Sequence, residues 1–292
     1  MPLFDLYSPR NLREALKFME SEREGLAVLA NGTDLLPRIN RRQIAPSVLL
    51  DIASLQDELR YIRKDDGVIH LGALTTVTDI LDSDILGGSL SMLHEAAAMF
   101  GAPQIRNVAT VGGNVCSASS SEDLIPVFLV LDSQVKLISS SGERSLPLED
   151  FIKGKRSTVM KPSEILSEVS FRALEGHSWS AFEKFGRRNM LIISLVNESL
   201  ALSLEDDLAT VRSARIALNR VKGRIPALAE MTGSFLEGRR LSDQTIAEAQ
   251  QILTSELNLK GDFRGSGAYR VEVARVYLKR LIQRCVARIS GA

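Results

Sequence analysis

Residues 101–126 read GAPQIRNVATVGGNVCSASSSEDLIP. Two adjacent glycines, an asparagine, four serines and two acids precede the apolar run that begins at residue 124. Glycine leaves backbone N–H groups unshielded, and amide and hydroxyl side chains add further hydrogen-bond donors. The stretch is therefore typical either of a serine-rich surface loop or of a turn that binds an anion.

The spacing of the glycines excludes two common phosphate-binding patterns. GGNVCS does not fit the G-x-G-x-x-G of a Rossmann dinucleotide site, and it lacks the G-K-[ST] ending of a Walker loop. A second glycine turn lies upstream, where the apolar run LAVLA (26–30) stops at NGTD (31–34). Alone, NGTD reads equally as a plain β-turn. The two turns together predict a pyrophosphate grip made from separated parts of the chain.

The remaining pattern indicates an α+β protein. NLREALKFME (11–20) has helical spacing, and LAVLA, SVLLDI (47–52), GVIHLGA (67–73) and EILSEVSF (164–171) read as strands. LIPVFLVLD (124–132) could be a buried helix or a strand. The later part predicts strands in AFEKFGRR, LIISLVNESLALSL and SARIALNRV, then helices in IPALAEMTGSFLEG and SDQTIAEAQQILTSEL. A last helix from about Gly267 would share one apolar stripe, formed by Tyr269, Val273, Val276, Tyr277, Leu281 and Cys285.

The composition narrows the classes of function. The formal net charge is zero, which argues against binding nucleic acid or an anionic membrane surface. No apolar run is long enough for a spanning helix, and the start MPLFDLYSPR does not have the pattern of a secretory signal. Two cysteines far apart and three histidines give neither a disulfide framework nor a metal site. We therefore expect no metal and a cytoplasmic location.

Four segments together carry a family resemblance. They are ANGTDLLP (30–37), the quoted stretch 101–126, SAFEKFGRR (180–188) and GSGAYRVEVARVYLKRLI (265–282). In this order they resemble the medium, FAD-binding subunit of the molybdenum hydroxylases, such as xanthine dehydrogenase and molybdenum-type carbon monoxide dehydrogenase. The resemblance implies a two-subdomain FAD-binding domain of the PCMH type at 1–175, divided at about residue 55. A C-terminal domain of sheet and helices would follow at 176–292.

The resemblance also implies which residues contact FAD. The first turn would contribute Leu29, Ala30, Asn31, Gly32, Thr33, Asp34 and Leu35. The second would contribute Thr110, Gly112, Gly113, Asn114 and Ser117, with Asp123 on the ribose and Lys184 at the isoalloxazine edge. Asn31 stands where the family usually has glycine, and asparagine tolerates left-handed backbone better than most residues. No residue of this chain is expected to act as a catalytic nucleophile or base.

The function implied is electron transfer. Electrons from a molybdopterin large subunit would pass through an iron–sulfur small subunit to FAD on this chain, and then to NAD⁺, oxygen or another acceptor. Two alternatives remain at this point. One is a stand-alone flavin oxidoreductase of the same fold, and the other is a flavin-free scaffold subunit, which Asn31 alone motivates.

Overall fold

The structure is a computed structural model, which describes residues 3–21, 24–188, 193–219 and 226–291. It contains three main sheets, of three, five and four strands, and a small sheet of two strands. None of the described helices is long and apolar enough to cross a membrane.

The first sheet has three parallel strands in the order β1-β3-β2. Its elements are β1 (Asp5–Tyr7), α1 (Leu12–Ser21), β2 (Leu26–Leu29), α2 (Leu35–Asn40) and β3 (Val48–Asp51). The predicted helix at 11–20 is confirmed as α1, whose Ala15 and Met19 are buried in one core with residues of β2 and β3. Because the strands are parallel, the ends of β2 and β3 lie at the same edge, where NGTD follows β2.

The second sheet has five antiparallel strands in the order β4-β5-β10-β6-β7. Its strands, with a small two-stranded ribbon, are β4 (Ile62–Asp65), β5 (Val68–Gly72), β6 (Gln134–Ser139), β7 (Gly142–Pro147), β8 (Ile152–Gly154), β9 (Ser157–Thr158) and β10 (Ile165–Arg172). The helices are α3 (Gln56–Leu59), α4 (Val77–Asp82), α5 (Met92–Ala98), α6 (Pro103–Arg106), α7 (Val111–Ser117), α8 (Leu124–Val130) and α9 (Leu148–Phe151).

Helix α8 settles the ambiguity at 124–132. All seven of its residues are buried. The helix packs against α5 and α7 and also against two strands of the third sheet, at residues 196–204 and 211–218. Phe182, Ala201 and Ala217 of the third sheet belong to the same hydrophobic core as α8. A helix enclosed on all sides has no polar face, so its periodicity could not be read from the sequence.

The third sheet has four antiparallel strands, β11 (Ser178–Phe185), β12 (Val196–Leu204), β13 (Val211–Leu218) and β14 (Ala227–Leu228). Helices α10 (Glu230–Leu236), α11 (Asp243–Glu256) and α12 (Gly267–Ile289) follow. Two predicted strands reach beyond the described residues. LIISLVNESLALSL (191–204) does so at its start, and SARIALNRV (213–221) does so at its end. The predicted helix in IPALAEMTGSFLEG starts only at Glu230, because Ala227 and Leu228 pair with β13 as an edge strand.

The predicted stripe on α12 is only partly correct. Tyr277, Leu281 and Cys285 are buried, whereas Tyr269 is 51% exposed and Val276 is 38% exposed. The remaining buried apolar positions of the helix are Ala274, Leu278 and Ile282. The buried face therefore runs through Ala274, Tyr277, Leu278 and Leu281. The helix contacts β11 and β12.

Candidate functional site

A cavity of about 590 Å³ lies between the first and second sheets. Such a volume falls in the range of small-molecule and cofactor sites, roughly 300–1,000 Å³. Eleven of the fourteen residues predicted to contact FAD are in its wall: Ala30, Asn31, Gly32, Thr33, Asp34, Leu35, Thr110, Gly112, Gly113, Asn114 and Ser117. The fold therefore brings the two glycine turns, about 80 residues apart in the chain, to opposite sides of one cavity.

The first turn presents unused backbone donors. Gly32 has φ +76°, and a Cβ there would lie 2.5 Å from Leu36 Cδ1, so no other residue fits without strain. Among the described residues, the N–H groups of Gly32, Thr33 and Asp34 donate to no acceptor. Successive free N–H groups of this kind bind anions.

Asn31 has a different part in this turn from the expected one. The left-handed residue is Gly32 and not Asn31, so the tolerance of asparagine for that conformation is not used. Instead, Asn31 Nδ2 donates to the carbonyl oxygen of Val108 at 2.8 Å. This hydrogen bond joins the first turn to the segment that leads into the second, which a glycine could not do.

The second turn does not expose the backbone N–H groups that its glycines were expected to bare. The Gly112 N–H donates to the Ala73 carbonyl at 2.8 Å, and the Gly113 N–H donates to Thr110 Oγ1 at 3.1 Å. The Asn114 N–H donates to the Thr110 carbonyl at 2.9 Å. A Cβ on Gly112 would lie 2.8 Å from Ala73 Cβ, so this glycine permits close packing of α7 on the end of β5.

Side chains therefore supply the polar groups on this side of the cavity. Gly113 leaves space in the cavity wall that a larger side chain would fill. The one described heavy atom within 4 Å of a Cβ at this position is Thr110 Oγ1, at 2.9 Å. The Ser117 hydroxyl donates to Glu122 Oε1 at 2.6 Å, and Asn114 Nδ2 donates to Glu122 Oε2. Asn114 Oδ1 is buried without a partner. A buried polar atom of this kind marks a place where a ligand or water completes the hydrogen bonds.

Glu122 is the acid of the quoted stretch that lines the cavity. Burial, together with the nearby charges of Asp123 and Asp34, raises the pKa of its carboxyl to about 7, against the lowering effects of the Ser117 hydrogen bond and of Arg156. The sequence showed two adjacent acids, and only the position relative to α8 decides which one faces the cavity.

The structure pairs Asp123 with Lys184, the two charged residues expected at the ribose and at the flavin edge. Lys184 Nζ lies 2.5 Å from Asp123 Oδ2, and the two side chains are 2% and 7% exposed. Asn197 Nδ2 donates to the other oxygen of Asp123 at 3.1 Å, and Lys184 also donates to the Met99 carbonyl at 3.1 Å. Neither residue lines the cavity, and their contacts with FAD stay a prediction. Leu29 also lies outside the wall.

Arg156 was missed by sequence reasoning. It lies in the turn between β8 and β9, and its guanidinium donates to both oxygens of Asp34, at 2.5 and 2.9 Å. Its own N–H donates to the Ala118 carbonyl at 2.8 Å. The pair therefore ties the first turn to the segment after α7. Since 122 residues separate the two partners, no local pattern signals it.

The rest of the wall is mainly apolar and was also missed. Its residues include Met19, Leu26, Val28, Ile52, Leu74, Phe100, Ile165 and Leu166. The segment 160–164 closes one side, where Glu164 accepts two hydrogen bonds from the Arg144 guanidinium, at 2.7 and 2.9 Å. An apolar wall with a few polar groups suits a ligand that has flat rings and one charged part.

These residues fit a dinucleotide such as the FAD that the resemblance implies. The free N–H groups of residues 32–34 and the side-chain groups of Asn114 and Ser117 are donors for a pyrophosphate. Gly113 leaves space beside them, and Asn114 Oδ1 has no partner in the described part of the chain. The apolar wall would shield a ring system from water.

Comparison with known proteins gives two family matches. The family described as the FAD binding domain in molybdopterin dehydrogenase matches residues 2–171, and the CO dehydrogenase flavoprotein C-terminal domain matches residues 180–285. The nicotinate dehydrogenase FAD-subunit of Eubacterium barkeri is 32% identical over 296 residues, which cover 99% of this chain and 98% of that relative. The glyceraldehyde dehydrogenase medium chain of Sulfolobus acidocaldarius is 30% identical, over 94% of this chain and 95% of the relative.

Solved structures agree. A carbon monoxide dehydrogenase from Hydrogenophaga pseudoflava that lacks the Mo-pyranopterin moiety superimposes with a TM-score of 0.92 at 26% identity, covering 98% of both chains. Quinoline 2-oxidoreductase from Pseudomonas putida 86 gives 0.89 at 26% identity, covering 98% of this chain and 97% of the other. The chain therefore belongs to the FAD-binding medium subunits of the molybdenum hydroxylases, and it is an oxidoreductase subunit whose cofactor is FAD.

Proposed function

We propose that this chain transfers electrons from an iron–sulfur partner subunit to a soluble acceptor such as NAD⁺. In this proposal a molybdopterin-containing large subunit hydroxylates the substrate, and the electrons reach this chain through a small subunit. Supporting this, relatives across the full length are named as FAD subunits or medium chains of dehydrogenases. When bound, FAD would supply the electron-carrying ring, and the protein would bind, orient and shield it.

The single observation that carries the proposal is the cavity between the two glycine turns. The unused N–H groups of residues 32–34 would hold the pyrophosphate from one side. The side chains of Asn114 and Ser117 would hold it from the other, with Gly113 leaving room between them. The Arg156–Asp34 pair would keep the first turn in position.

The two alternatives are less well supported. The flavin-free scaffold was motivated by Asn31, yet Asn31 fits the turn and adds a hydrogen bond to Val108. A stand-alone flavin oxidoreductase would need a substrate site in addition to the cofactor cavity. The match to subunits of the same length favours a chain that works with partners.

Titration of the purified chain with FAD tests the binding site. Flavin fluorescence would be followed in the wild type, in Gly113→Val and in the control Gly154→Val. Gly154 has no heavy atom within 4 Å of an added Cβ, so the control changes the same residue type where there is space. We expect Gly113→Val to lose FAD binding and the control to keep it. Equal affinity of the two variants would refute the assigned pyrophosphate position.

The partner assignment needs its own experiment. We expect a tagged chain, expressed in its source cells, to co-purify with subunits that contain molybdenum and iron in stoichiometric amounts. A chain that purifies alone, retains FAD and reduces an acceptor on its own would favour the stand-alone enzyme instead.

A further inference from the structure

The Glu122 carboxylate is hydrogen-bonded to two side chains that are proposed to hold the pyrophosphate, those of Asn114 and Ser117. It accepts hydrogen bonds from the Ser117 hydroxyl, at 2.6 Å, and from Asn114 Nδ2. All three side chains line the cavity. An anion of the protein therefore already uses the side-chain donors on this side of the site, so the cofactor's phosphates would meet a like charge there.

Among the described residues, the one cation that acts on the Glu122 carboxyl is itself paired with another acid. The charged groups that act on its carboxyl are Asp123, Asp34 and Arg156. Arg156 is engaged by Asp34 through two hydrogen bonds, and Asp123 is paired with Lys184. Burial and the negative charges of Asp123 and Asp34 together raise the pKa of the Glu122 carboxyl to about 7 in the chain without FAD. A second anion in the same enclosed space would raise it further.

We propose that FAD binding by this chain is coupled to protonation of Glu122, whose carboxyl takes up a proton when the pyrophosphate engages the donors of Asn114 and Ser117. The inference rests on the proposed FAD site and adds a residue that sets the affinity of that site. A protonated carboxyl is neutral and carries an O–H donor, so it would turn a repulsive neighbour of the phosphates into a hydrogen-bonding one.

The sign of the pH dependence follows from the higher pKa in the complex. Below about pH 7 the free chain already carries the proton, so the FAD affinity is constant there. Above that pH the free chain loses the proton while the complex retains it, and the affinity falls by up to about tenfold per pH unit. The affinity becomes constant again once the complex also loses the proton.

The experiment measures the Kd for FAD by flavin fluorescence from about pH 6 to about pH 9, in the wild type, Glu122→Gln and Glu237→Gln. Glutamine cannot titrate, and Glu237 is an exposed glutamate that controls for the same chemical change elsewhere. We expect the affinity of the wild type and of Glu237→Gln to fall with rising pH. We expect Glu122→Gln to show no such fall and to bind FAD more tightly than the wild type at the alkaline end.

Proton uptake gives a second readout that does not depend on a variant. The wild-type chain is mixed with FAD in weakly buffered solution at about pH 8, and a pH indicator reports up to about one proton taken up per FAD bound. A flat wild-type profile without proton uptake would overturn the inference, as would a Glu122→Gln profile as steep as that of the wild type. Failure of the wild type to bind FAD at every pH would overturn the proposed site itself, and the inference with it.

Discussion

Replacing Gly112 by alanine should destabilise the protein even when no ligand is bound. The added Cβ would lie 2.8 Å from Ala73 Cβ, 2.9 Å from its carbonyl oxygen and 3.2 Å from its Cα. Two of these atoms belong to the backbone, so α7 would have to move away from the end of β5. That movement lengthens the 2.8 Å hydrogen bond from the Gly112 N–H to the Ala73 carbonyl.

Three contributions give the size of the effect. Overpacking costs about 1–3 kcal/mol, and weakening a buried backbone hydrogen bond costs about 0.5–1.5 kcal/mol. Alanine in a helix returns roughly 0.5–1 kcal/mol relative to glycine. Together these ranges give about 0.5–4 kcal/mol, and we expect Gly112→Ala to lower the free energy of unfolding by about 2 kcal/mol.

Urea unfolding without FAD measures this loss, with Gly154→Ala as the control. Because an added Cβ at Gly154 has no heavy atom within 4 Å, we expect the control to stay within about 0.5 kcal/mol of the wild type. If Gly112→Ala unfolds at the same urea concentration as the control, the close packing of α7 on Ala73 is not the reason for glycine at this position.

Three further changes test other contacts. Arg156→Ala should alter the unfolding free energy by less than about 1 kcal/mol, because the pair of Arg156 with Asp34 is partly exposed. Flavin titration should nevertheless show weaker FAD binding, since the Asp34 carboxylate would lose Arg156 next to the proposed position of the phosphates. Unchanged FAD affinity would contradict this. Lys184→Ala should cost about 3–5 kcal/mol in urea unfolding by leaving Asp123 buried without its counter-ion, and adding Asp123→Ala should restore part of the loss; purely additive losses would refute the coupling. Burial raises the pKa of Glu198 well above 4.5, so the folded chain keeps a proton that the unfolded chain releases, and stability falls as pH rises beyond that value; Glu198→Gln should remove this fall in Tm measurements, and an identical pH profile would contradict the assignment.

Local patterns predicted the elements that have strong periodicity. EILSEVSF became β10, and SDQTIAEAQQILTSEL became α11. These elements depend on residues close in the chain, so their signals are readable. Both glycine turns, predicted to act together, line one cavity, and their contact with a pyrophosphate stays a prediction.

Contacts between distant segments could not be predicted. Gly112 was expected to bare its N–H, yet that group donates to the carbonyl of Ala73, the residue that follows β5. Glu122 and Asp123 are neighbours in sequence, but Asp123 caps the start of α8 and contacts Lys184 and Asn197 of the third sheet. The choice between two adjacent acids therefore depended on a sheet formed 60 to 75 residues later.

Helix α8 has a consequence for how the chain can be divided. Its buried surface is completed by Phe182, Ala201 and Ala217, which come after the point at which the sequence suggests a second domain. A chain shortened at residue 175 would expose this apolar helix to water and should aggregate or bind nonspecific partners. A chimera that takes its C-terminal part from a relative should therefore fold only where the residues at positions 182, 201 and 217 keep their size. Substitutions in α8 and at these three positions are thus expected to occur together.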